Sequence, residues 1–221
     1  MNVTCKIDGP LAILTLNRPD KKNALSIALR DEFVVHLDTI LDIGTVHVVI
    51  VTGAGDYFSA GFDLEEFKDA EEDGFAEKLW ASSDLFHKKM IEYPLPTLAA
   101  VNGPALAGGF DLAVICDLRL ASETAYFSHP EVSFGDVAYS PLHELVGGAL
   151  ARELCLTGRK VTSKEAFHLN LISQITPDQE IMAQARELAL SIAQAPRDLL
   201  MRTKQKIIRR AAINPGYTLD L

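Results

Sequence analysis

The sequence predicts an α/β domain with a helical C-terminal part. Three observations lead there. Short β-rich runs alternate with helix-length periodic segments over roughly residues 1–195. The runs "VHVVIVTG" and "TLAAV" are continuously apolar, as strands buried on both faces require. At the end, two helical patterns follow one another directly, Asp178 to Ala193 and Arg197 to Ala211. With 221 residues, 48% of them hydrophobic, the chain can bury one large core. The expected organisation is a core of residues 1–195 and an appended helical segment of residues 196–221.

The first element is a hairpin, "VTCKI" and "LAILTLN", broken by the turn residues Asp8, Gly9 and Pro10. Ser26 then caps a helix running to about Leu41, with Ile27, Leu29, Phe33, Leu37, Ile40 and Leu41 broadly at helical spacing. A buried strand ends at Gly53, and an acidic helix is expected within Glu71 to Glu92. Pro94 and Pro96 stop that helix, so Thr97 to Val101 form the next strand. "DLRLAS" and "AYFSH" read as further strands, with helices near Pro141 to Leu156 and Ser163 to Leu169. "VIVTG…SAGFDL" and "LAAVNG…AGGFDL" share one plan of strand, glycine turn and Gly-Phe-Asp-Leu. Two readings of this echo stand: coincidence, or two turns presenting backbone N–H groups at one end of a sheet.

Charge and cysteines narrow the function classes. A net charge of −9 argues against a general nucleic-acid binder, which needs a basic face to displace counterions. Cys5, Cys116 and Cys155 are far apart, without CxxC spacing, so neither a zinc site nor a disulfide framework is expected and a reducing, cytoplasmic compartment fits. The N-terminus lacks a basic start followed by an apolar run, so it does not read as a signal peptide. No apolar run reaches the roughly 18 residues that span a bilayer. No membrane partner is expected.

The chemistry centres on "NGPALAGGFDLAVICD". Gly108 and Gly109 fall between a strand and a helix start, where free N–H groups and the helix dipole favour negative charge. Such a turn can hold a developing oxyanion, or it can simply pack a helix tightly on a strand. It is neither GxxxxGK[ST] nor GxGxxG. Asp111 lies in the first helical turn and Glu131 twenty residues on, in "SHPEVSFG". Alone, each has a bland reading, a helix-start charge and a surface acid. Together, facing the glycine turn, they would be desolvated carboxylates whose pKa values move up and apart, suited to acid and base work.

"NRPDKKNAL", "VTGAGDYFSAGFDLEEF", "PTLAAVNGPALAGGFDLAVICDLRLAS" and "YFSHPEVSFG" together resemble the crotonase, or enoyl-CoA hydratase/isomerase, superfamily. The resemblance implies a crotonase-like spiral of ββα repeats with a helical C-terminal trimerisation region. It implies an acyl-CoA thioester as substrate, no cofactor beyond that coenzyme A, no metal, and a homotrimer or dimer of trimers. It carries the oxyanion hole onto the backbone N–H groups of Phe62 and Gly108, and the acid/base positions onto Asp111 and Glu131. Coenzyme A contacts fall on Arg18, Lys21, Lys22, Ala24, Ala60 and Asp63.

The chain also departs from that family's pattern. Hydratases usually carry Glu at both acid/base positions, and here the first is Asp111, one methylene shorter. Asp followed by Glu resembles the dienoyl-CoA isomerases, but the further Asp they carry eight residues after the Glu is replaced by Tyr139. Tyr139 is the candidate to narrow the acyl pocket, with Asp136 nearby, and "FGDVAYSPLHELVGG" lacks the usual small, glycine-rich loop. "GDYFSAGFDLEEF" stands closer to the isomerase branch. His129 and His143 flank the region and read as structural. Ser59 and Ser140 lack a GxSxG setting, Cys116 reads as inert core, and "RTKQKIIRR" as an amphipathic helix whose basic face is solvated or, alternatively, turned to a neighbouring subunit's coenzyme A. The sequence stops at "INPGYTLDL", earlier than family members usually end, so a shortened C-terminal segment is expected. Hydration of a 2-enoyl-CoA is the first reading. Isomerisation of a 3-enoyl-CoA, a catalytically silent acyl-CoA-binding or scaffold role, and thioester hydrolysis or decarboxylation are the alternatives.

Overall fold

The computed structural model describes residues 1–68 and 74–221. Strands β1 (Val3–Asp8) and β2 (Leu11–Leu16) form the expected hairpin, with Val3 opposite Leu16. Strands β3 (Val48–Gly53), β4 (Thr97–Val101), β6 (Leu118–Ser122) and β9 (Gln174–Thr176) add to it in parallel, in the order β1-β2-β3-β4-β6-β9. Their apolar runs follow from burial on both faces. Val49, Val51, Ala99, Val101 and Ala121 turn to the main core with helix α1 (Ile27–Asp42). Val48, Ile50, Leu98, Ala100 and Leu120 turn the other way, onto Ile181, Ala185 and Ala189 of α7 (Ile181–Ala193).

A second, three-stranded sheet, β5 (Ala105–Leu106), β7 (Tyr126–Ser128) and β8 (Val161–Thr162), lies against the C-terminal ends of the first. Ser59 joins it through a parallel bridge to Ala105. The echo in the sequence is therefore a structural repeat. β3, Ser59 and α2 (Leu64–Lys68) form one ββα unit; β4, β5 and α4 (Gly108–Ile115) form the next. A third unit follows with β6, β7 and α5 (Ser140–Thr157). This is the spiral of ββα repeats. Ser26 caps α1 as expected, its Oγ accepting from the Leu29 N–H at 3.3 Å. The acidic helix is α3 (Phe75–Ile91), and the first residues expected in it, 71–73, lie outside the described residues.

The last helices, α6 (Ser163–His168), α7 and α8 (Arg197–Ala211), match the expected segments. α8 corrects one expectation. Its basic face is not wholly solvated, because Lys204 is buried and its Nζ pairs with Oδ2 of Asp117 at the start of β6. Arg197 ties the same helix to the carbonyls of Val46 and Leu41, both at 2.8 Å. Among the described residues, no helix is long and apolar enough to cross a membrane.

Candidate active site

The site forms where the repeats hand the chain from the large sheet to the small one. Asn102, just after β4, accepts from the Gly53 N–H at 3.0 Å and donates to the Gly55 carbonyl at 2.9 Å, which clamps two successive turns together. Leu106 N–H donates to the Ser59 carbonyl at 2.9 Å, and Leu25 N–H to the Gly61 carbonyl at 2.8 Å. Residues 59–62 and 105–108 are therefore in direct contact. Gly61 adopts φ +87°, and a Cβ there would stand 2.7 Å from the Ala107 Cβ. Ala107 itself holds φ 49° and ψ −131°, a strained conformation of the kind found at functional sites.

The glycine pair divides its labour. A Cβ on Gly109 would stand 2.4 Å from the Ser59 carbonyl oxygen, so this glycine is the tight packing contact. A Cβ on Gly108 would meet its nearest neighbours at 3.6 Å or more, which is ordinary contact. Gly109→Ala is accordingly expected to lower stability by at least about 1–3 kcal/mol, and Gly108→Ala by less than 1 kcal/mol. Urea unfolding of the two variants checks this, and equal midpoints would contradict it. Gly108 begins α4, where an N–H has no intrahelical acceptor. Neither its N–H nor that of Phe62 has a backbone acceptor among the described residues.

Asp111 sits in the first turn of α4 and Glu131 in a short 3-10 turn, Pro130–Ser133; both are buried. The fold brings them together, and His129 lies between them. Its Nδ1 is 2.9 Å from Glu131 Oε1, its Nε2 is 3.8 Å from Asp111 Oδ1, and its ring stacks on Phe110 with centroids 4.6 Å apart. Among the described residues, Asp111 Oδ1, His129 Nε2 and Glu131 Oε2 are buried without a hydrogen-bond partner. Such atoms are rare in folded proteins, and three in one cluster mark a place built for something else to occupy. One ligand atom from each of the three residues lies within 4.8 Å of the others. The shortest of these approaches is already a hydrogen bond, so the cluster reads as a proton-sharing group.

Burial pushes the Asp111 carboxyl up to about 7; the charge of His129 opposes the rise and that of Glu131 adds to it. For His129, burial alone would favour the neutral ring, but the Glu131 hydrogen bond and the two carboxylate charges outweigh it and raise its pKa. On α5, burial and the same carboxylates push the Cys155 thiol up to about 11, so it stays neutral. Because folded Asp111 binds its proton more tightly than the unfolded chain does, its ionisation costs stability as pH rises from about 4 to about 7. Asp111→Asn is expected to be more stable than the parent at pH 8, with the gap closing towards pH 4. Urea midpoints that differ equally at both pH values would contradict this.

The expected coenzyme A segments also meet. Ala60 N–H donates to the Lys22 carbonyl at 2.9 Å, and Ser59 Oγ to the Asn23 carbonyl at 2.9 Å. Their charges are largely engaged within the protein. Arg18 pairs with Asp63 at 2.9 Å and donates to the Ala24 carbonyl at 2.7 Å. Lys21 pairs with Glu65 at 2.8 Å in solvent, and Lys22 lies over the Tyr57 ring at 5.2 Å. Arg30, which the sequence reading passed over, is buried over the Phe62 ring at 4.8 Å and donates to the Leu25 and Leu79 carbonyls. Tyr139 lies at the N-terminus of α5 with its ring against His143, centroids 5.3 Å apart, and Asp136 is exposed. The residue most underrated by sequence is His129. Its signal was its position two residues before Glu131, in the same turn.

The family model described as Enoyl-CoA hydratase/isomerase matches residues 6–218. The short-chain-enoyl-CoA hydratase of Clostridium acetobutylicum is 32% identical, covering 100% of this chain and 84% of its own. The 2,3-dehydroadipyl-CoA hydratase of Escherichia coli is 34% identical over 88% of this chain and 77% of its own. Among solved structures, an enoyl-CoA hydratase/isomerase from Xanthobacter autotrophicus Py2 superposes with a TM-score of 0.90 at 30% identity, covering 96% of this chain and 80% of that one. By sequence, fold and the family model, the chain belongs to the enoyl-CoA hydratase/isomerase family.

Proposed function

We propose that the chain hydrates 2-enoyl-CoA thioesters. The observation that carries this reading is the pair of unpartnered, buried carboxylate oxygens, Asp111 Oδ1 and Glu131 Oε2, on segments adjoining the free Phe62 and Gly108 N–H groups. The two N–H groups donate to the thioester oxygen as it gains charge, each worth roughly 2.7–4 kcal/mol by analogy with other oxyanion holes. Glu131 orients water and takes one of its protons as the oxygen bonds to carbon β. Asp111 helps hold that water and, carrying a proton near neutral pH, delivers it to carbon α. The reaction then needs no metal and no cofactor beyond the substrate's own coenzyme A. That portion of the substrate lies along Arg18, Lys21, Lys22, Ala24, Ala60 and Asp63, with Tyr139 towards the acyl chain. The working assembly is a homotrimer or a dimer of trimers in the cytoplasm.

The elevated pKa of Asp111 also supports a second reading, isomerisation of 3-enoyl-CoA to 2-enoyl-CoA by one carboxylate that moves a proton between carbons. The pH profile separates the two. Hydration with Asp111 as proton donor loses kcat as pH rises through about 7, whereas isomerisation with Asp111 as base gains it. A panel of 2-enoyl-CoA and 3-enoyl-CoA thioesters, with Asp111→Asn and Glu131→Gln as controls, tests both. Binding of the panel without turnover would favour the silent, acyl-CoA-binding alternative, and release of free coenzyme A or CO2 would point to hydrolysis or decarboxylation.

A further inference from the structure

His129 is nearly fully buried, at 1% exposure, yet it makes one strong polar contact and leaves a ring nitrogen unsatisfied. His87 is as buried and its Nε2 is likewise without a partner among the described residues, but its Nδ1 meets only the Ser83 carbonyl and the Ser83 and Thr218 hydroxyls, whereas the two His129 nitrogens face two carboxylates. Phe110 fixes the His129 ring plane from one side, and the Gly158 turn packs on its backbone, a Cβ there standing 2.6 Å from the His129 carbonyl oxygen. The ring is locked with one nitrogen on Glu131 and the other facing Asp111.

We propose that His129 is a positioning residue that acts, as an imidazolium, through both carboxylates. Its Nδ1–H donates to Glu131 Oε1, which leaves Oε2 as the oxygen offered to the reacting water or carbon. Its Nε2–H faces Asp111 Oδ1 across 3.8 Å, too far for a hydrogen bond but near enough for its charge to restrain the rise in the Asp111 pKa. The titratable groups that act on the ring are Asp111 on α4 and Glu131 in its own turn, and the neutral Cys155 thiol on α5 feels the same two carboxylates. The cluster thereby holds two roles apart with one cation: a fixed base and a carboxyl poised near neutrality.

This inference rests on the acid/base reading of Asp111 and Glu131, and its test has one arm that needs no turnover. In protein labelled with 15N-histidine, the His129 ring is expected to stay doubly protonated above the range of a free histidine and to lose that in Glu131→Gln. Titration at or below the ordinary histidine value of about 6.5 would overturn the proposal. In the kinetic arm, His129→Ala is expected to lower kcat about 10- to 100-fold with KM little changed, the loss of a charge-assisted hydrogen bond. The Asp111 limb of the pH profile is expected to move to higher pH. His129→Gln keeps a neutral donor for Glu131, so it is expected to recover part of kcat without restoring the limb. An unchanged pH profile in His129→Ala, or a fall in activity that merely tracks lost folded protein, would overturn the positioning role. If no enoyl-CoA turns over while the ring titrates as expected, the functional reading fails and the bridging stands.

Discussion

Glu131→Gln is expected to reduce kcat by about 10²- to 10⁴-fold, the usual contribution of a positioned acid or base. KM is expected to change little, because the substitution touches the reacting atoms and leaves the coenzyme A segments intact. Gln is isosteric with Glu, and its carbonyl oxygen can still accept from His129 Nδ1–H, the contact that holds the turn at 2.9 Å. What disappears is the basic Oε2, which has no hydrogen-bond partner among the described residues. Steady-state kinetics on crotonyl-CoA measure the effect. A tenfold rise in KM at unchanged kcat would place Glu131 in substrate binding instead.

The largest stability effect is expected away from the site, at Asp117. Its Oδ2 accepts from the Thr97 N–H at 2.8 Å, from Thr97 Oγ1 at 3.1 Å and from the Lys204 ammonium, joining β4, β6 and α8 at one carboxylate. Asp117→Ala leaves Lys204, 4% exposed, with its charge unpaired, a loss of about 3–5 kcal/mol, or roughly 6–20 °C in Tm for a chain of this size. Lys204→Met is expected to cost less, because Asp117 is more exposed and keeps its two Thr97 donors. The double variant should recover part of the Asp117→Ala loss, since no buried charge remains. Thermal unfolding checks the order. Asp117→Ala as stable as Lys204→Met would mean that the pair does not anchor α8.

Much of this architecture was legible in the residues. Period-two and continuous apolar runs located β1 to β4 and β6, because burial on one or both sheet faces writes itself into the sequence. Ser26 announced α1 through its cap, whereas the repeated Gly-Phe-Asp-Leu left coincidence and a paired turn equally open, and the ββα unit came from the family resemblance. Strands β5, β8 and β9 were not anticipated. With two or three residues each, they carry no period, and they exist only because distant partners supply their hydrogen bonds. The kink at Gly147 inside α5 was hidden for a related reason, since one glycine in a helical pattern reads as tolerated until its φ of +76° is seen.

The site divides the same way. Gly108, Asp111 and Glu131 could be named from spacing and resemblance, but which glycine was packing and which was free depended on the Ser59 carbonyl, brought in from another repeat. Arg18 and Asp63 could both be drawn towards coenzyme A, whereas their mutual ion pair belongs to tertiary structure alone. His129 read as structural because no sequence spacing reveals that its two nitrogens face two different carboxylates. Lys204 looked solvated because a helix's basic stripe does not say which one of its lysines meets a buried acid.

Addition of water across the double bond of an enoyl thioester by Asp111 and Glu131 leaves an isotopic signature. Crotonyl-CoA incubated with the protein in D2O, with the products separated and weighed by mass spectrometry, tests it most directly. The expected product is 3-hydroxybutyryl-CoA carrying one deuterium at carbon α, absent when Glu131→Gln replaces the parent. Crotonyl-CoA recovered unchanged from the parent protein, while a 3-enoyl-CoA is converted or free coenzyme A accumulates, would contradict it.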